Sequence, residues 1–493
     1  MRTLRFSPGF RVGLDLRPLL RILGALLLLL AASQLLPALV AVFYSEGGAA
    51  LAFVASAAVA ALAGLTMRFL GGHGEVYRRE GVLIVAGGWM LASIFGALPY
   101  LFTGTLASPV DALFEAASGF TTTGATVLVD IEAAGRGMLF WRSFTQWLGG
   151  MGIIVLFVAL LPELGPGARF LYKLEVPGPT AEALHPRIRD TASVLWRIYF
   201  GLTAAETIVL MLCGLDLYDA LTHTFTTLST GGFSPRADSI AAFPPVVHVV
   251  ITLFMIIAGG NFSLYYGVLV HRGWGFFRDS EFRLYLLLVA FASLAISADL
   301  LAAGGYDNPG RALLDSTFQV ASIVTTTGFA TADFNLWPDH SRMLLVALMF
   351  VGGCAGSTSG SMKVMRILIA IKTALREVRL TFSPSTVISI LVGGKPVPNS
   401  VVTSVMGFFF LFMASWALGT LMLLSTGRGL LTAATASIAT LGNVGPGLDA
   451  VGPVENFAFF SGSEKMVMVL LMWLGRLEVY SIAALFTIAF WKR

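Results

Sequence analysis

The sequence predicts an all-α polytopic membrane protein, with four helix–pore loop–helix repeats around one pore and a two-helix N-terminal domain before them. Two observations predict this class. Of the 493 residues, 56% are hydrophobic and only 12% are charged, about half of the roughly 25% typical of soluble domains. In addition, four short segments of small polar residues and glycine recur between long apolar runs.

Ten apolar segments are candidates for membrane spans. Most contain about 20 residues, enough to cross a hydrocarbon core of roughly 30 Å at about 1.5 Å per residue. They lie near residues 19–43, 48–70, 81–103, 135–161, 191–214, 245–270, 283–303, 342–375, 400–425 and 464–490. Because no polar stretch between them could form a soluble domain, any nucleotide-binding module would come from another chain.

Basic residues are concentrated at the two ends and in alternate loops. They are Arg2, Arg5, Arg11, Arg17 and Arg21; Arg68, Arg78 and Arg79; Arg169, Lys173, Arg187 and Arg189; Arg272, Arg278 and Arg283; Lys372, Arg376, Arg379 and Lys395; and Lys492 and Arg493. Because basic loops stay in the cytoplasm, both termini are predicted to be cytoplasmic. The first apolar run has no small-residue cleavage site and is interpreted as a retained span. A surface anchor is the alternative for residues 1–18.

From the third span onward, each opposite loop contains an apolar stretch of about 12 residues, which is too short to cross a membrane. These stretches cover residues 109–120, 217–228, 310–324 and 428–440. Small polar residues and glycine follow each of them at once. The pattern predicts a short helix that enters the membrane and returns as extended chain.

The four returning segments each end on a glycine. They are Thr121-Thr122-Thr123-Gly124, Ser229-Thr230-Gly231-Gly232, Thr325-Thr326-Thr327-Gly328 and Gly442-Asn443-Val444-Gly445. Their last glycines are 108, 96 and 117 residues apart (124 to 232, 232 to 328, 328 to 445). Such repetition predicts four copies of one unit. We assign them to residues 76–165, 166–275, 276–380 and 381–493, after a two-span domain at 1–75.

Four such segments around one axis would form a selectivity filter for a cation. Non-helical backbone is tolerated at membrane depth where it lines water, and rings of carbonyl oxygens replace a cation's hydration shell. Glycine permits the positive φ angles that aim successive carbonyls the same way. The fourth segment has no hydroxyl, so the filter is predicted to be only approximately four-fold, with looser coordination there. Ordinary turns, or a transporter made of two inverted repeats, are the alternatives.

These segments and their flanks resemble the superfamily of K⁺ transporters that includes the TrkH, KtrB and plant HKT proteins. The resemblance covers residues 81–490, and the two extra spans before the first repeat make the chain similar to TrkH members. It implies K⁺ as the transported ion and Gly124, Gly232, Gly328 and Gly445 as the filter glycines; Na⁺-selective plant relatives carry serine at the first. It also implies that K⁺ is bound by backbone carbonyls of Thr122, Thr123, Thr230, Gly231, Thr326, Thr327, Asn443 and Val444.

A run of small residues, Gly352 to Ser361, interrupts span eight and is followed by Lys363. Glycine and serine disfavour a helix, which predicts either a close helix–helix contact or a flexible loop that crosses the pore below the filter. The resemblance implies an intramembrane gate loop over residues 352–361, with the gate residues Gly352, Gly353, Gly356, Gly360, Lys363 and Arg476. The matching Gly260-Asn261-Phe262 of repeat two is interpreted as a weaker kink.

Arg476 lies inside the last apolar segment. A charge near the bilayer centre costs at least ~2.5 kcal/mol, so its side chain is predicted to face the protein interior. Glu478 lies two residues on, faces elsewhere and is not an obvious partner. One interpretation is a salt bridge that only fixes packing. The other, which the resemblance supports, is a positive barrier beneath the filter that contacts the Gly352–Gly360 loop.

No sequence feature supports an enzyme, because HExxH, Walker A and GxGxxG motifs in a suitable context are missing. Cys213 and Cys354 lie in apolar segments and predict neither a disulfide nor a metal site, and His223 is interpreted as structural. The resemblance implies a homodimer in the bacterial inner membrane, bound by lipids and by cytoplasmic nucleotide-binding TrkA-type subunits, with no nucleic acid. Passive transport and symport with H⁺ or Na⁺ both stay open. A membrane-embedded enzyme or assembly factor is the alternative.

Overall fold

The computed structural model describes residues 15–74, 76–152, 188–271 and 275–491. Three predictions lie wholly or partly outside the described residues: most of the 1–18 anchor, the second half of the 135–161 span, and the basic residues Arg169, Lys173, Arg187, Arg272, Lys492 and Arg493. Helices dominate the described ranges, where the one sheet is a hairpin of β1 (Leu391–Val392) and β2 (Lys395–Pro396). The all-α prediction is confirmed.

The α-helices are numbered here in chain order. They are α1 Leu16–Phe43, α2 Gly47–Leu70, α3 Arg78–Phe102, α4 Pro109–Phe120, α5 Arg136–Gly150, α6 Ile188–Leu212, α7 Leu217–Leu228, α8 Pro245–Ala258, α9 Phe262–His271, α10 Ser280–Ala302, α11 Pro309–Val324, α12 Asp339–Val351, α13 Val364–Phe382, α14 Asn399–Leu424, α15 Leu430–Leu441, α16 Gly462–Arg476, α17 Tyr480–Leu485 and α18 Ile488–Trp491.

The helices α1 and α2 form a hairpin that packs against the first repeat. Their backbones approach closely at Gly24 and Gly64. A Cβ atom at Gly24 would lie only 2.6 Å from the carbonyl oxygen of Gly64. Small residues permit such close helix packing in membranes. At the turn of the hairpin, the carboxylate of Glu46 accepts the N–H groups of Arg136 (2.7 Å) and Gly137 (3.0 Å). It thereby caps the first turn of α5.

The four short helices predicted from the sequence are present as α4, α7, α11 and α15, with ends within two residues of those predicted. We call them the pore helices. In the first three, the side chain of Ser108, Asp216 or Asn308 caps the N-terminus by accepting a backbone N–H group. The fourth begins after Gly429, which has no capping side chain. These caps favour the observed starts of the first three pore helices.

The second long helix of each repeat, here called the inner helix, breaks at a matching place. The inner helices α5, α8, α12 and α16 end at Gly150, Ala258, Val351 and Arg476. Three of the breaks carry a Gly-Gly pair, and Arg476 replaces the second glycine in the fourth. The prediction of a weak kink at Gly260-Asn261 was wrong, since α8 and α9 meet at 95°.

Close packing against the pore helices explains the glycine beside two of these breaks. A Cβ atom at Gly149 would collide with the carbonyl oxygen of Phe120, and one at Gly475 with that of Leu441. Phe120 and Leu441 are the last residues of the pore helices in the same repeats. Within the described ranges, six helices are long and apolar enough to cross a membrane unbroken, and α8 with α9 would be a seventh span if the bent pair is counted as one.

Candidate functional site

All four pore helices end in the same backbone motif. The first residue after the helix cap has a positive φ: 55° at Thr122, 55° at Thr230, 58° at Thr326 and 53° at Asn443. The N–H group of the next residue then donates to the carbonyl five residues earlier, at 2.8 to 2.9 Å, in Thr123, Gly231, Thr327 and Val444. This is a Schellman helix end, where glycine is usual at the positive φ.

Threonine is an unfavourable residue at such an angle, because its branched side chain crowds the backbone. Three of the four positions nevertheless carry threonine. Backbone strain of this kind persists where the surroundings over-determine it, and it clusters at functional sites. The identical strained geometry in four repeats therefore marks these segments as the candidate site.

The four glycines predicted to belong to a filter, called the filter glycines here, close these segments into a ring. All four have positive φ, from 75° at Gly232 to 99° at Gly445. A Cβ atom at any of them would collide with a carbonyl oxygen of the next segment. The pairs are Gly124 with Gly231, Gly232 with Thr327, Gly328 with Val444, and Gly445 with Thr123. The pairs run from repeat 1 to 2, 2 to 3, 3 to 4 and 4 back to 1, so the segments surround one axis in chain order.

The ring is narrow. A Cβ atom at Gly124 would also lie 3.7 Å from the carbonyl oxygen of Thr327, in the opposite repeat. Backbone oxygens from neighbouring and opposite segments thus converge at this level. Such a set of neutral oxygens suits a partly dehydrated monovalent cation.

Side chains hold the segments from behind. The hydroxyls of Thr121 and Thr123 are hydrogen-bonded at 2.8 Å, and those of Thr325 and Thr327 at 2.7 Å. The fourth segment has no hydroxyl, but Nδ2 of Asn443 donates to Oγ1 of Thr123 at 2.9 Å. An amide therefore anchors the fourth segment to the first, a link between residues far apart in the chain. Looser ion coordination on that side stays a prediction.

Two cavities flank the ring. The upper vestibule is lined by the four filter glycines and the loops that follow them, including Arg142 and Arg236. The lower cavity is lined by the ends of the inner helices and by the small-residue loop, including Gly150, Gly356, Lys363 and Arg476. The four glycines therefore border one cavity, and the small-residue loop borders the other.

The loop at residues 352–363 lies directly beneath the ring. The N–H group of Gly360 donates to Oγ1 of Thr326 at 2.7 Å. The hydroxyl of Thr358 donates to the carbonyl of Leu228, the last residue of α7, at 3.0 Å. The loop thus contacts the ends of two pore helices and is not a simple helix–helix contact.

Two charged side chains hold the shape of this loop. The ammonium group of Lys363, 2% exposed, donates to the carbonyl and the hydroxyl of Ser359. Oε1 of Glu281 accepts the N–H groups of Ala355 at 2.7 Å and Met365 at 3.0 Å. The predicted glycines Gly352, Gly353 and Gly356 lie in the same segment; Gly352 and Gly356 have positive φ angles of 77° and 74°.

Arg476 connects the loop with the first repeat. Its guanidinium donates to the carbonyl of Thr358 at 3.0 Å and to Oγ1 of Thr122 at 3.1 Å. It also donates to the carbonyls of Gly149 and Gly150 at 2.6 and 3.0 Å. The predicted contact between Arg476 and the loop is therefore present. Glu478 instead pairs with Arg366, next to the loop's end.

The sequence did not indicate a role for Arg142 or Glu115. Arg142 and Glu115 form an ion pair at 2.8 Å with side-chain exposures of 1% and 0%. Arg142 also donates to the carbonyl of Ser234 at 3.2 Å and lies over the ring of Phe233, so it joins repeats 1 and 2 beside the filter. His223 bonds the carbonyl of Asp219 and the hydroxyl of Ser234, which fits its structural interpretation.

We expect Arg142→Met to destabilise the protein by about 3–5 kcal/mol, because it leaves Glu115 buried without its counter-charge. The double variant with Glu115→Gln should recover most of this loss. Thermal unfolding of the purified protein in detergent measures both effects. Arg376→Met is the control, since its partner Glu377 is 59% exposed and such pairs contribute under about 1 kcal/mol. Wild-type stability of Arg142→Met would contradict this account.

Comparisons with known proteins agree with one another. The family model TrkH, described as cation transport protein, matches residues 50–492. The Trk system potassium uptake protein TrkH of Halomonas elongata is 38% identical over 486 residues, 97% of this chain and 100% of the relative. The corresponding TrkG of Escherichia coli K12 is 36% identical over 474 residues, 95% and 97% of the two chains. The crystal structure of the potassium transporter TrkH from Vibrio parahaemolyticus has a TM-score of 0.87 and 37% identity, covering 97% and 100%.

Proposed function

The chain belongs to the TrkH family of cation transport proteins, and from this premise we propose that it takes up K⁺ through the ring of four filter segments. It is a multi-pass membrane protein and a transporter, not an enzyme. The main observation that supports the proposal is the closed ring, in which each filter glycine lies against a carbonyl oxygen of the next segment. An assembly factor with ordinary Thr-Gly turns would not need four equivalent strained segments around one axis.

In this proposal, K⁺ is coordinated by backbone carbonyls at two levels of the filter. The first level consists of Thr122, Thr230, Thr326 and Asn443, and the second of Thr123, Gly231, Thr327 and Val444. Eight carbonyls at these levels would replace the hydration shell of the ion. The partly negative C-terminal ends of the four pore helices point at the same place and favour a cation.

The loop at residues 352–361 and Arg476 are proposed to form the gate. The loop lies in the route from the filter to the lower cavity, and its conformation depends on hydrogen bonds to Thr326 and Leu228. Arg476 adds a fixed positive charge at the same level, where it repels a passing cation. Opening would require the loop and Arg476 to move aside together, because a hydrogen bond joins them.

The orientation and partners are proposed from the charge pattern and the family. Both termini and the basic loops would face the cytoplasm of a bacterial cell, so the filter lies toward the outside. A homodimer with one pore in each protomer, and a cytoplasmic nucleotide-binding TrkA-type subunit on the basic loops, are the proposed assembly.

Ion flux from the purified protein in liposomes tests the function. We expect K⁺ and Rb⁺ to be taken up down their gradients, and Na⁺ much more slowly. An imposed proton or Na⁺ gradient that drives K⁺ against its own gradient would indicate symport; no effect of either gradient would indicate passive flux. Liposomes with correctly folded protein but no K⁺ or Rb⁺ uptake would contradict the proposal and favour an assembly role.

A further inference from the structure

The second filter segment differs from the other three at one position. Repeats 1, 3 and 4 have Thr123, Thr327 and Val444 there, whereas repeat 2 has Gly231. A Cβ atom at Gly231 would collide with Cδ and Oε1 of Gln146. Gln146, from the inner helix α5 of repeat 1, therefore occupies the space that a filter side chain would need.

Gln146 also bonds the filter backbone directly. Its Nε2 donates to the carbonyl oxygen of Gly231 at 2.7 Å, and its Oε1 accepts the N–H group of Phe233 at 3.0 Å. The side chain is fully buried. The two bonds hold the segment on both sides of Gly232, and one of them engages an oxygen proposed to bind K⁺.

The other inner helices carry no amide at this place. Gln146 lies four residues before Gly150, the second residue of the break in repeat 1. The residues four positions before the matching Gly260, Gly353 and Arg476 are Ile256, Met349 and Met472. These side chains have no N–H or O–H group that could donate a hydrogen bond to a carbonyl. At these matching positions, the filter residue has a side chain wherever the inner-helix residue is apolar. Only Gln146, the inner-helix residue with an amide, is matched by a glycine, Gly231.

We propose that Gln146 is a specificity-determining residue that favours K⁺ over Na⁺ by holding and weakening the Gly231 carbonyl. This inference rests on the proposed K⁺ function. A carbonyl oxygen has two lone pairs, so it accepts the amide and still faces an ion. The shared oxygen exerts a weaker field on the ion, which favours the cation that is easier to dehydrate, namely K⁺.

Holding the segment in place with Gln146 favours K⁺ over Na⁺, as the weaker field does. Two consecutive glycines, Gly231 and Gly232, make this the most pliable of the four segments. Without Gln146 it could contract around the smaller Na⁺. Loss of the amide is therefore expected to lower discrimination against Na⁺. This holds both if cavity size and if field strength dominates selectivity in such filters.

The test compares K⁺ and Na⁺ uptake by the full-length protein in liposomes. Gln146→Met keeps the length of the side chain and removes only its hydrogen bonds, so packing changes little. We expect the ratio of K⁺ to Na⁺ uptake to fall about five- to tenfold, which corresponds to losing the one hydrogen bond to the Gly231 carbonyl. Met349→Leu, at the matching position of repeat 3, should leave the ratio unchanged. An unchanged ratio in Gln146→Met, with wild-type K⁺ uptake, would overturn the inference.

A double variant gives an independent test. Gly231→Thr alone should abolish uptake, because its Cβ meets Gln146. Gln146→Ile with Gly231→Thr reproduces the Ile256 and Thr327 pair of the next repeat, and we expect uptake to return with a lowered K⁺ to Na⁺ ratio. Return of uptake with the wild-type ratio would overturn the inference. Failure of the wild-type protein to pass K⁺ would instead contradict the proposed function.

Discussion

Gly232→Ser is expected to abolish K⁺ uptake, with a loss of at least about a hundredfold. The serine Cβ would collide with the carbonyl oxygen of Thr327 and lie 2.9 Å from its carbonyl carbon. Both atoms belong to backbone that the neighbouring pore helix holds in place. Overpacking of this kind costs about 1–3 kcal/mol, and φ of 75° at Gly232 is a further penalty for a residue with a side chain. Uptake of ⁸⁶Rb⁺ or K⁺ into K⁺-starved cells measures the effect.

Gly201→Ser is the matched control for this variant. Gly201 lies on the exposed side of α6, and a Cβ atom there would have no atom within 4 Å. Uptake should equal that of the wild type at equal amounts of protein in the membrane. Gly124→Ser, in the first segment, should behave like Gly232→Ser because its Cβ meets the Gly231 carbonyl. Wild-type uptake in both filter variants would mean that the ring is not the ion path.

Local pattern was enough to predict the pore helices and the positive φ angles of the glycines that follow them. An apolar stretch of about 12 residues followed by small polar residues and glycine is a signal within one segment, and its repetition at intervals near 100 residues supplied the register. The positive φ angles at Gly124, Gly232, Gly328 and Gly445 agree with the reason given for glycine there. For these four glycines the local sequence was sufficient, whereas the positive φ of Thr122, Thr230 and Thr326 is unfavourable for threonine and depends on the surrounding structure.

Contacts between repeats could not be predicted in the same way. The need for glycine at position 149, near the end of α5, comes from a carbonyl of the pore helix that packs against it, and hydropathy shows only a continuous apolar run. The bond from Asn443 to Thr123 joins residues 320 positions apart. One signal was nevertheless available: a Gly-Gly pair, or Gly-Arg in repeat 4, recurs at a similar distance after each filter segment.

Arg476→Ala is expected to raise the K⁺ flux of the protein without regulatory subunits by about ten- to a hundredfold. The substitution removes the positive charge at the level of the loop, where a fixed charge several ångströms from a passing ion contributes a few kcal/mol at an effective dielectric constant near 20. It also removes the hydrogen bonds to the carbonyls of Thr358 and Gly150. The measurement is K⁺ efflux from liposomes at low ionic strength, with Arg197→Ala on the exposed face of α6 as the control.

Arg476→Lys separates the charge of this side chain from its geometry. Lysine keeps the positive charge but cannot donate to four acceptors in the fixed planar arrangement of a guanidinium. A flux as low as that of the wild type would mean that electrostatic repulsion closes the path. A flux as high as that of Arg476→Ala would mean that the bonds to Thr122, Thr358, Gly149 and Gly150 hold the loop under the filter. Because three repeats have glycine at this position and only the fourth has arginine, either result makes the gate asymmetric beneath a nearly four-fold filter. Unchanged flux in both variants would remove Arg476 from the gate.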